Sequence, residues 1–167
     1  IEGDEAVPFE RHSAEQARAL TPAAIKAQLL ESGQWTSLRA RPFGRVADPQ
    51  TTPKGLFITA IDTHPHAPDP EIAIAREPDA FLLGQELLAA MVECPVYLCA
   101  APGADMPQSQ HARLTRHDFS GPHPAGLVGT HVHFLMGASL ERIAWTVGYQ
   151  DVIAIGRLFL DGALYTD

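Results

Sequence analysis

The feature that most constrains this chain is a repeated alternation of short apolar runs with amphipathic segments. Four runs bounded by turn residues predict strands, at residues 55–62, 95–100, 113–119 and 143–147. Helical spacing and end signals predict helices at residues 23–32, 77–92 and 151–160, with another from about residue 125. Strands that alternate with helices predict an α/β fold with a mostly parallel sheet flanked by helices.

A sheet of this kind also predicts where a ligand would bind. In open parallel sheets, ligands lie beyond the carboxyl ends of the strands. The predicted strand ends are followed by residues 62–64, 99–100, 120–129 and 148–151. We therefore expect any functional site to be built from these segments.

Composition narrows the classes of protein further. The 167 residues suit one domain, and the net charge of −8 makes a nucleic-acid partner a poor candidate. No apolar run approaches the roughly 18 residues that a membrane-spanning helix needs. The chain begins with Ile1 instead of Met. We expect residues 1–20 to be the tail of a preceding module and residues 21–167 to be a domain of a longer subunit.

Common catalytic and nucleotide-binding motifs are missing. The sequence contains no G-x-G-x-x-G, no G-x-x-x-x-G-K-[ST] and no G-x-S-x-G. Cys94 and Cys99 form no C-x-x-C pair and are expected to be buried free thiols. No independent active site is identified in this way.

Eight histidines provide an alternative from another class of protein. The pairs His64/His66 and His131/His133 have i, i+2 spacing, which places both rings on one face of a strand but about 200° apart on a helix. A stand-alone metalloenzyme would use one of these pairs together with a third ligand. Histidines that are hydrogen-bonded in polar loops are the simpler interpretation.

Two further segments leave alternatives open. Residues 119–134 combine three glycines, two prolines and three histidines within an otherwise apolar run. They predict either a tight buried crossover or a cleft lined by imidazoles and backbone amides. Arg39, Arg41 and Arg45 form a basic cluster in an acidic chain, which fits either a solvated loop or a site for an anion or an acidic partner.

Three long strings carry a family resemblance: SGQWTSLRARPFGRV, SGPHPAGLVGTHVHFL and GYQDVIAIGRLFLDGALYTD. They resemble the middle part of the A subunit of the bacterial Na⁺-translocating NADH:quinone oxidoreductase, and the resemblance covers the whole chain. That family is similar to the flavin-bearing subunit of respiratory complex I and to the C subunit of the Rnf complex. The resemblance implies a Rossmann-like domain, similar to the FMN-binding domain of the complex I protein.

The same resemblance allows the flavin motifs to be compared with this chain. The family motif G-L-R-G-R-G-G-A-G-F-P falls on residues 33–43, where the glycines after Gly33 are replaced and Trp35 is expected to stand in the cofactor's space. The motif N-A-D-E-S-E-P-G falls on residues 59–66, and V-N-N-V-E-T falls on residues 147–152. All three segments depart from the motif, so we expect the fold to be kept and the FMN and NADH sites to be lost. An ordinary flavoprotein remains a further alternative.

The resemblance implies a peripheral protein on the cytoplasmic side of the bacterial inner membrane. The complex as a whole would use NADH, flavins, iron–sulfur and ubiquinone, while this chain would bind no redox cofactor or metal. Its expected partners are the other subunits, chiefly the membrane-embedded B subunit, with a contribution to quinone binding as a further role. From composition and position, the residues expected to contact the quinone are Phe119, His123, Gly126, Gly129, His131, His133 and Phe134.

Overall fold

The structure, a computed structural model, describes residues 8–137, 139 and 141–164. Its strands are β1 (Arg39–Arg41), β2 (Arg45–Val46), β3 (Gly55–Ala60), β4 (Val96–Ala100), β5 (Leu114–Asp118) and β6 (Ala144–Gly148). They form a sheet in the order β2-β1-β6-β3-β4-β5. Strands β6, β3, β4 and β5 are parallel to one another, whereas β1 is antiparallel to both β6 and β2. The predicted α/β fold with a mostly parallel sheet is confirmed.

Three of the six described helices begin at a residue whose side chain caps them. The six helices are α1 (Ala14–Arg18), α2 (Pro22–Glu31), α3 (Pro70–Arg76), α4 (Pro78–Met91), α5 (Val128–Leu135) and α6 (Tyr149–Asp161). Ser13, Thr21 and Asp69 accept hydrogen bonds from the first-turn amides of α1, α2 and α3. None of these helices is long and apolar enough to cross a membrane.

Alternating side chains divide the core between the two faces of the sheet. On β3, Leu56 and Ile58 belong to the large cluster that also contains buried residues of α2, α4 and α6. Phe57 faces the other way and packs with Val132 of α5 in a small second cluster. One face of the sheet is therefore covered by several helices and the other by α5.

Three elements were not expected from the sequence. The arginine-rich strand β1 and the two-residue strand β2 show no apolar alternation, because they lie at a sheet edge where side chains stay half or fully exposed. Helix α3 lies in a stretch with several prolines that resembles a loop. It forms because Pro70 occupies the first helical turn and the Asp69 carboxylate accepts a hydrogen bond from the Glu71 amide.

The segment before α2 packs on the domain. The amides of Phe9 and His12 donate to the carbonyls of Gly162 and Phe159, and Ala17 of α1 is fully buried. The division into a tail at residues 1–20 and a domain at residues 21–167 stays a prediction. Residues 1–7 and 165–167 of these segments lie outside the described residues.

Candidate functional site

A cleft of about 680 Å³ opens at the carboxyl ends of β3 and β6. The chain continues from β3 to β4 on one side and returns to β6 on the other, so the cleft lies at the point where the strand order reverses. Its volume falls within the range of small-molecule sites. The cleft is lined by residues 33–34, 36–37, 39, 59, 61–62, 64, 126–128 and 146–151.

One side of the cleft is the amino-terminal turn of α6. Gly148 is the N-cap residue and Asp151 lies in the first turn, with its carboxylate close to the Gly148 amide. Burial raises the pKa of Asp151, against the opposing effects of that amide and of the Arg39 guanidinium. The positive end of the helix therefore already has a carboxylate of its own first turn beside it.

The opposite side is the turn that follows α2. Gly33 has a φ of 78°, which turns the chain into the short 3₁₀ segment Gln34–Ser37. Gln34, Thr36 and Ser37 line the cleft from this segment. Hydroxyl and amide groups therefore occupy this side.

Trp35, in the same segment, points away from the cleft. Its indole Nε1 donates to the Ala47 carbonyl at 2.7 Å, and its ring meets the Trp145 ring edge-on, with centroids 5.4 Å apart. The side chain is buried in the main core. The expectation that Trp35 stands in the cofactor's space is wrong, because alternate residues of the turn face the core.

The loop after β3 carries a hydrogen-bonded Asp–His pair at the edge of the cleft. Asp62 Oδ1 accepts hydrogen bonds from the His64 amide at 2.9 Å and from His64 Nδ1 at 2.6 Å. The His64 amide, with the His64 ring beside it, holds the pKa of Asp62 below its ordinary value. Among the described residues that line the cleft, Arg39 is the one Lys or Arg, and Asp62 and Asp151 are the two carboxylates.

The segment before α5 closes the cleft against this loop. The Gly126 amide donates to Thr63 Oγ1 at 3.0 Å, and a Cβ atom at Gly126 would lie 2.7 Å from the Thr63 amide nitrogen. His123 Nδ1 lies 3.3 Å from the same hydroxyl, and its ring centroid is 4.9 Å from that of His64. Two of the seven predicted quinone-contacting residues are thus near the cleft, with Gly126 lining it.

The other five predicted residues are divided between the two sides of α5. The Phe119 and His131 rings contact each other at a tilt of 43°, with centroids 4.2 Å apart, and neither lines the cleft. His133 and Phe134 are exposed, and nothing lies within 4 Å of the Cβ position of Gly129. The structure therefore does not bring all seven residues together in one slot.

His131 is fully buried and provides a pH test. Its Nε2 bonds to the Ala125 carbonyl at 2.9 Å, and its Nδ1 has no hydrogen-bond partner among the residues that the structure describes. Burial lowers the pKa of His131 below its ordinary 6.5. Below pH 6.5, His131 becomes protonated in the unfolded chain while it stays neutral in the folded one. The free energy of unfolding is therefore highest above pH 6.5 and decreases as the pH falls below it.

We expect wild-type protein to lose more stability than His131→Gln between pH 7 and pH 5, by up to about 1.4 kcal/mol per pH unit below 6.5. Chemical unfolding at several pH values measures this difference. Equal pH slopes in the two proteins would contradict the assignment of His131 as a buried neutral imidazole.

The metalloenzyme alternative finds no support. No group of three His, Cys, Asp or Glu residues in the described part of the chain could hold a metal ion. His131 is buried and His133 is exposed on the same helix, as their spacing requires. The prediction for the cysteines is confirmed: Cys94 and Cys99 are buried and free, and burial raises their pKa values to about 11 and about 12.

The polar residues of the cleft were missed as individual site residues. Thr36, Ser37, Thr59 and Thr146 belong to no catalytic motif. The comparison with the flavin motifs nevertheless identified their surroundings, because residues 33–43, 59–66 and 147–152 all contribute to the cleft. Position near the carboxyl ends of strands could have found Thr59 and Thr146, whereas Thr36 and Ser37 lie in the 3₁₀ segment after α2 and had no such signal.

Comparison with known sequences identifies the family. The model of the NqrA second alpha/beta domain matches residues 20–164. The chain belongs to this family.

Curated relatives of the NqrA second-domain family agree over nearly the whole chain. A protein from Shewanella amazonensis is 51% identical over 98% of this chain, and proteins from Vibrio parahaemolyticus and Yersinia pseudotuberculosis are each 47% identical over 100% of it. All three are named as the A subunit of Na⁺-translocating NADH-quinone reductase. This chain spans 36–37% of their lengths.

Proposed function

We propose that this chain is a domain of the A subunit of a bacterial Na⁺-translocating NADH:quinone reductase. In this proposal it binds no redox cofactor itself and docks on the other subunits, chiefly the membrane-embedded B subunit, at the cytoplasmic side of the inner membrane. The observation that carries the proposal is the 47–51% identity over at least 98% of the chain to relatives of that name. NADH and quinone are the substrates in that name, and the electron transfer would belong to the assembled complex.

Charge favours attachment through protein instead of lipid. The chain has a net charge of −8, and the cytoplasmic surface of a bacterial membrane is also negative. A direct electrostatic attraction to the lipid would therefore be absent. Contact with membrane subunits is the arrangement that a chain of this composition can support.

The cleft residues do not fit FMN or NADH, the ligands that the resemblance would suggest. Both carry phosphate groups, which proteins usually bind with glycine-turn amides, helix N-termini and basic side chains. Here the lining holds one guanidinium, Arg39, and two carboxylates, Asp62 and Asp151, and Asp151 already lies close to the Gly148 amide at the start of α6. A phosphate in this cleft would meet more negative than positive charge, so we assign the cleft no flavin or dinucleotide.

The docking role is tested by isolating the complex through an affinity tag on this chain. We expect detergent extracts of the host's membranes to yield the other reductase subunits, including the B subunit, with the tagged protein. The control is the same tag on an unrelated cytoplasmic protein. Recovery of the tagged protein without any other reductase subunit would overturn the proposal.

A contribution to quinone binding is a second candidate role. A quinone head is neutral, has two carbonyl acceptors and needs an apolar slot. The cleft combines the Gln34 side-chain amide and the Thr59 hydroxyl, which has no hydrogen-bond partner among the described residues, with Ile61, Leu127 and Val128 as apolar surface. A neutral ligand also avoids the charge conflict that a phosphate would meet. Of the seven predicted quinone-contacting residues, this lining favours Gly126 over the exposed His133 and Phe134.

We expect Gly126→Ala to weaken the binding of a short-chain ubiquinone to the assembled complex about tenfold, which corresponds to about 1.4 kcal/mol. The added Cβ would collide with the Thr63 backbone and move the segment that closes the cleft. Gly129→Ala is the matched control, because nothing lies within 4 Å of its Cβ position. Equal affinity of both variants and wild type would argue against a quinone in this cleft.

A further inference from the structure

The hairpin formed by β1 and β2 contains a second concave surface, far smaller than the cleft. We call it the hairpin groove. It has a volume of about 190 Å³, and its lining includes Arg41, Phe43, Arg45, Val46, Ile143 and Trp145. We infer that the hairpin groove docks an extended segment of a partner protein that carries an acidic side chain next to an apolar one. The inference rests on the proposed docking role and names the surface used.

The apolar part of the groove is unusually open to solvent. The Phe43 side chain is 68% exposed and that of Val46 is 42% exposed, and both are among the large apolar residues that the fold does not bury. They lie beside Ile143 and the ring of Trp145. An apolar side chain of a partner would cover this surface and gain free energy from the area removed from water.

Charge selects an acidic partner. Arg41 and Arg45 make no ion pair with any residue that the structure describes, although the chain as a whole has a net charge of −8. The Arg45 guanidinium lies 5.7 Å from the centroid of the Phe43 ring, so the positive charge is next to the apolar surface. The one carboxylate in the lining, Asp48, accepts a hydrogen bond from the Gln50 amide. A carboxylate beside an apolar side chain would complement this arrangement.

Two buried donors in the lining lack acceptors. The Trp145 indole Nε1 and the Arg41 Nε have no hydrogen-bond partner in the part of the chain that the structure describes. Buried donors usually find a partner, and leaving one without an acceptor destabilises the structure. Both residues contribute to the hairpin groove. A carbonyl or carboxylate brought by a docked segment, with a small adjustment of these side chains, would supply what is missing.

The sheet edge explains why the docked segment should be extended. Strand β2 is the last strand of the sheet and pairs with β1 alone. Its other edge presents backbone groups to which a further strand can add. Main-chain pairing along β2 and side-chain contacts in the groove would then act on the same peptide.

The test uses the intact complex with a photo-crosslinking phenylalanine analogue at position 43, and the same analogue at Ile72, which is 60% exposed on α3, as the control. We expect crosslinks from position 43, but not from position 72, to a segment of another subunit with an acidic residue beside an apolar one. Crosslinks to another part of the same polypeptide, to a second copy or to no protein would overturn the inference. If the subunits co-purify while position 43 gives no such crosslink, the groove assignment fails and the docking role stands.

A charge-reversing substitution gives a second, quantitative test of the hairpin groove. We expect Arg45→Glu to weaken association with the crosslinked subunit by about tenfold or more. The exposed guanidinium would be replaced by a carboxylate, which would repel the acidic side chain of the partner segment. Arg76→Glu makes the same charge change at an exposed position of α3 and should leave association unchanged. Unchanged thermal melting of both variants would show that folding is intact. Equal association of the two variants with the crosslinked subunit would overturn the inference. If position 43 crosslinks to such a segment of a protein outside the reductase, the groove assignment is supported and the docking role fails.

Discussion

Replacing Gly156 by alanine is expected to destabilise the fold by about 3 kcal/mol or more, because an added methyl group has no space there. A Cβ atom at Gly156 of α6 would lie 1.9 Å from the carbonyl oxygen of Ala80 in α4. The contact is reciprocal: a Cβ atom at Gly84 of α4 would lie 2.1 Å from the Val152 carbonyl oxygen of α6. Both helices would have to separate, and their packing forms much of the main core.

Denaturant unfolding of the purified protein measures this effect. Gly129→Ala is the control, since it replaces a helical glycine of α5 with nothing within 4 Å of the Cβ position. Alanine favours the helix there, so we expect this variant to be unchanged or stabilised by up to about 1 kcal/mol. A loss below about 1 kcal/mol in Gly156→Ala would contradict the close approach of α4 and α6.

Replacing Trp35 by alanine is expected to cost about 3–5 kcal/mol, as is typical when a large buried aromatic is truncated. The change would leave a cavity beside the Trp145 ring and remove the donor that bonds to the Ala47 carbonyl. If the ring instead filled a former cofactor space at the surface, the same substitution would cost little and would enlarge the cleft.

Trp35→Phe distinguishes packing from hydrogen bonding. Phenylalanine keeps most of the ring contact and removes the indole donor, so we expect a smaller loss of about 1–3 kcal/mol. Stability is again measured by denaturant unfolding. A loss below about 1 kcal/mol in Trp35→Ala, or new FMN binding by that variant, would show that Trp35 lies at the cleft.

The sheet and the principal helices could be predicted from the sequence for a physical reason. Strands β3, β4 and β6 are buried on both faces and are therefore continuous apolar runs, and α4 and α6 have a helical apolar period. The short edge strands β1 and β2 lack both signals. Their arginines and exposed side chains are compatible with a strand near a sheet edge and equally compatible with a solvated loop, so this composition could not distinguish the two.

The site could be predicted in position but not in detail. The rule for parallel sheets indicated the carboxyl edge, where the cleft is found. The choice among residues 119–134 depended on where α5 begins, since that decides which side chains face inward. With α5 beginning at Val128, His131 is buried and His133 is exposed, and composition alone could not distinguish the two.

We propose that this α/β domain, with its cleft at the carboxyl ends of parallel strands, acts without binding a nucleotide. Equilibrium dialysis of the folded chain against labelled FMN, and separately against labelled NADH, tests it most directly. We predict no saturable binding of either compound up to about 1 mM, a limit of about −4.1 kcal/mol in binding free energy. Saturable binding of one equivalent of FMN or NADH in the micromolar range would contradict the claim, because the cleft would then hold a phosphate against Asp62 and Asp151.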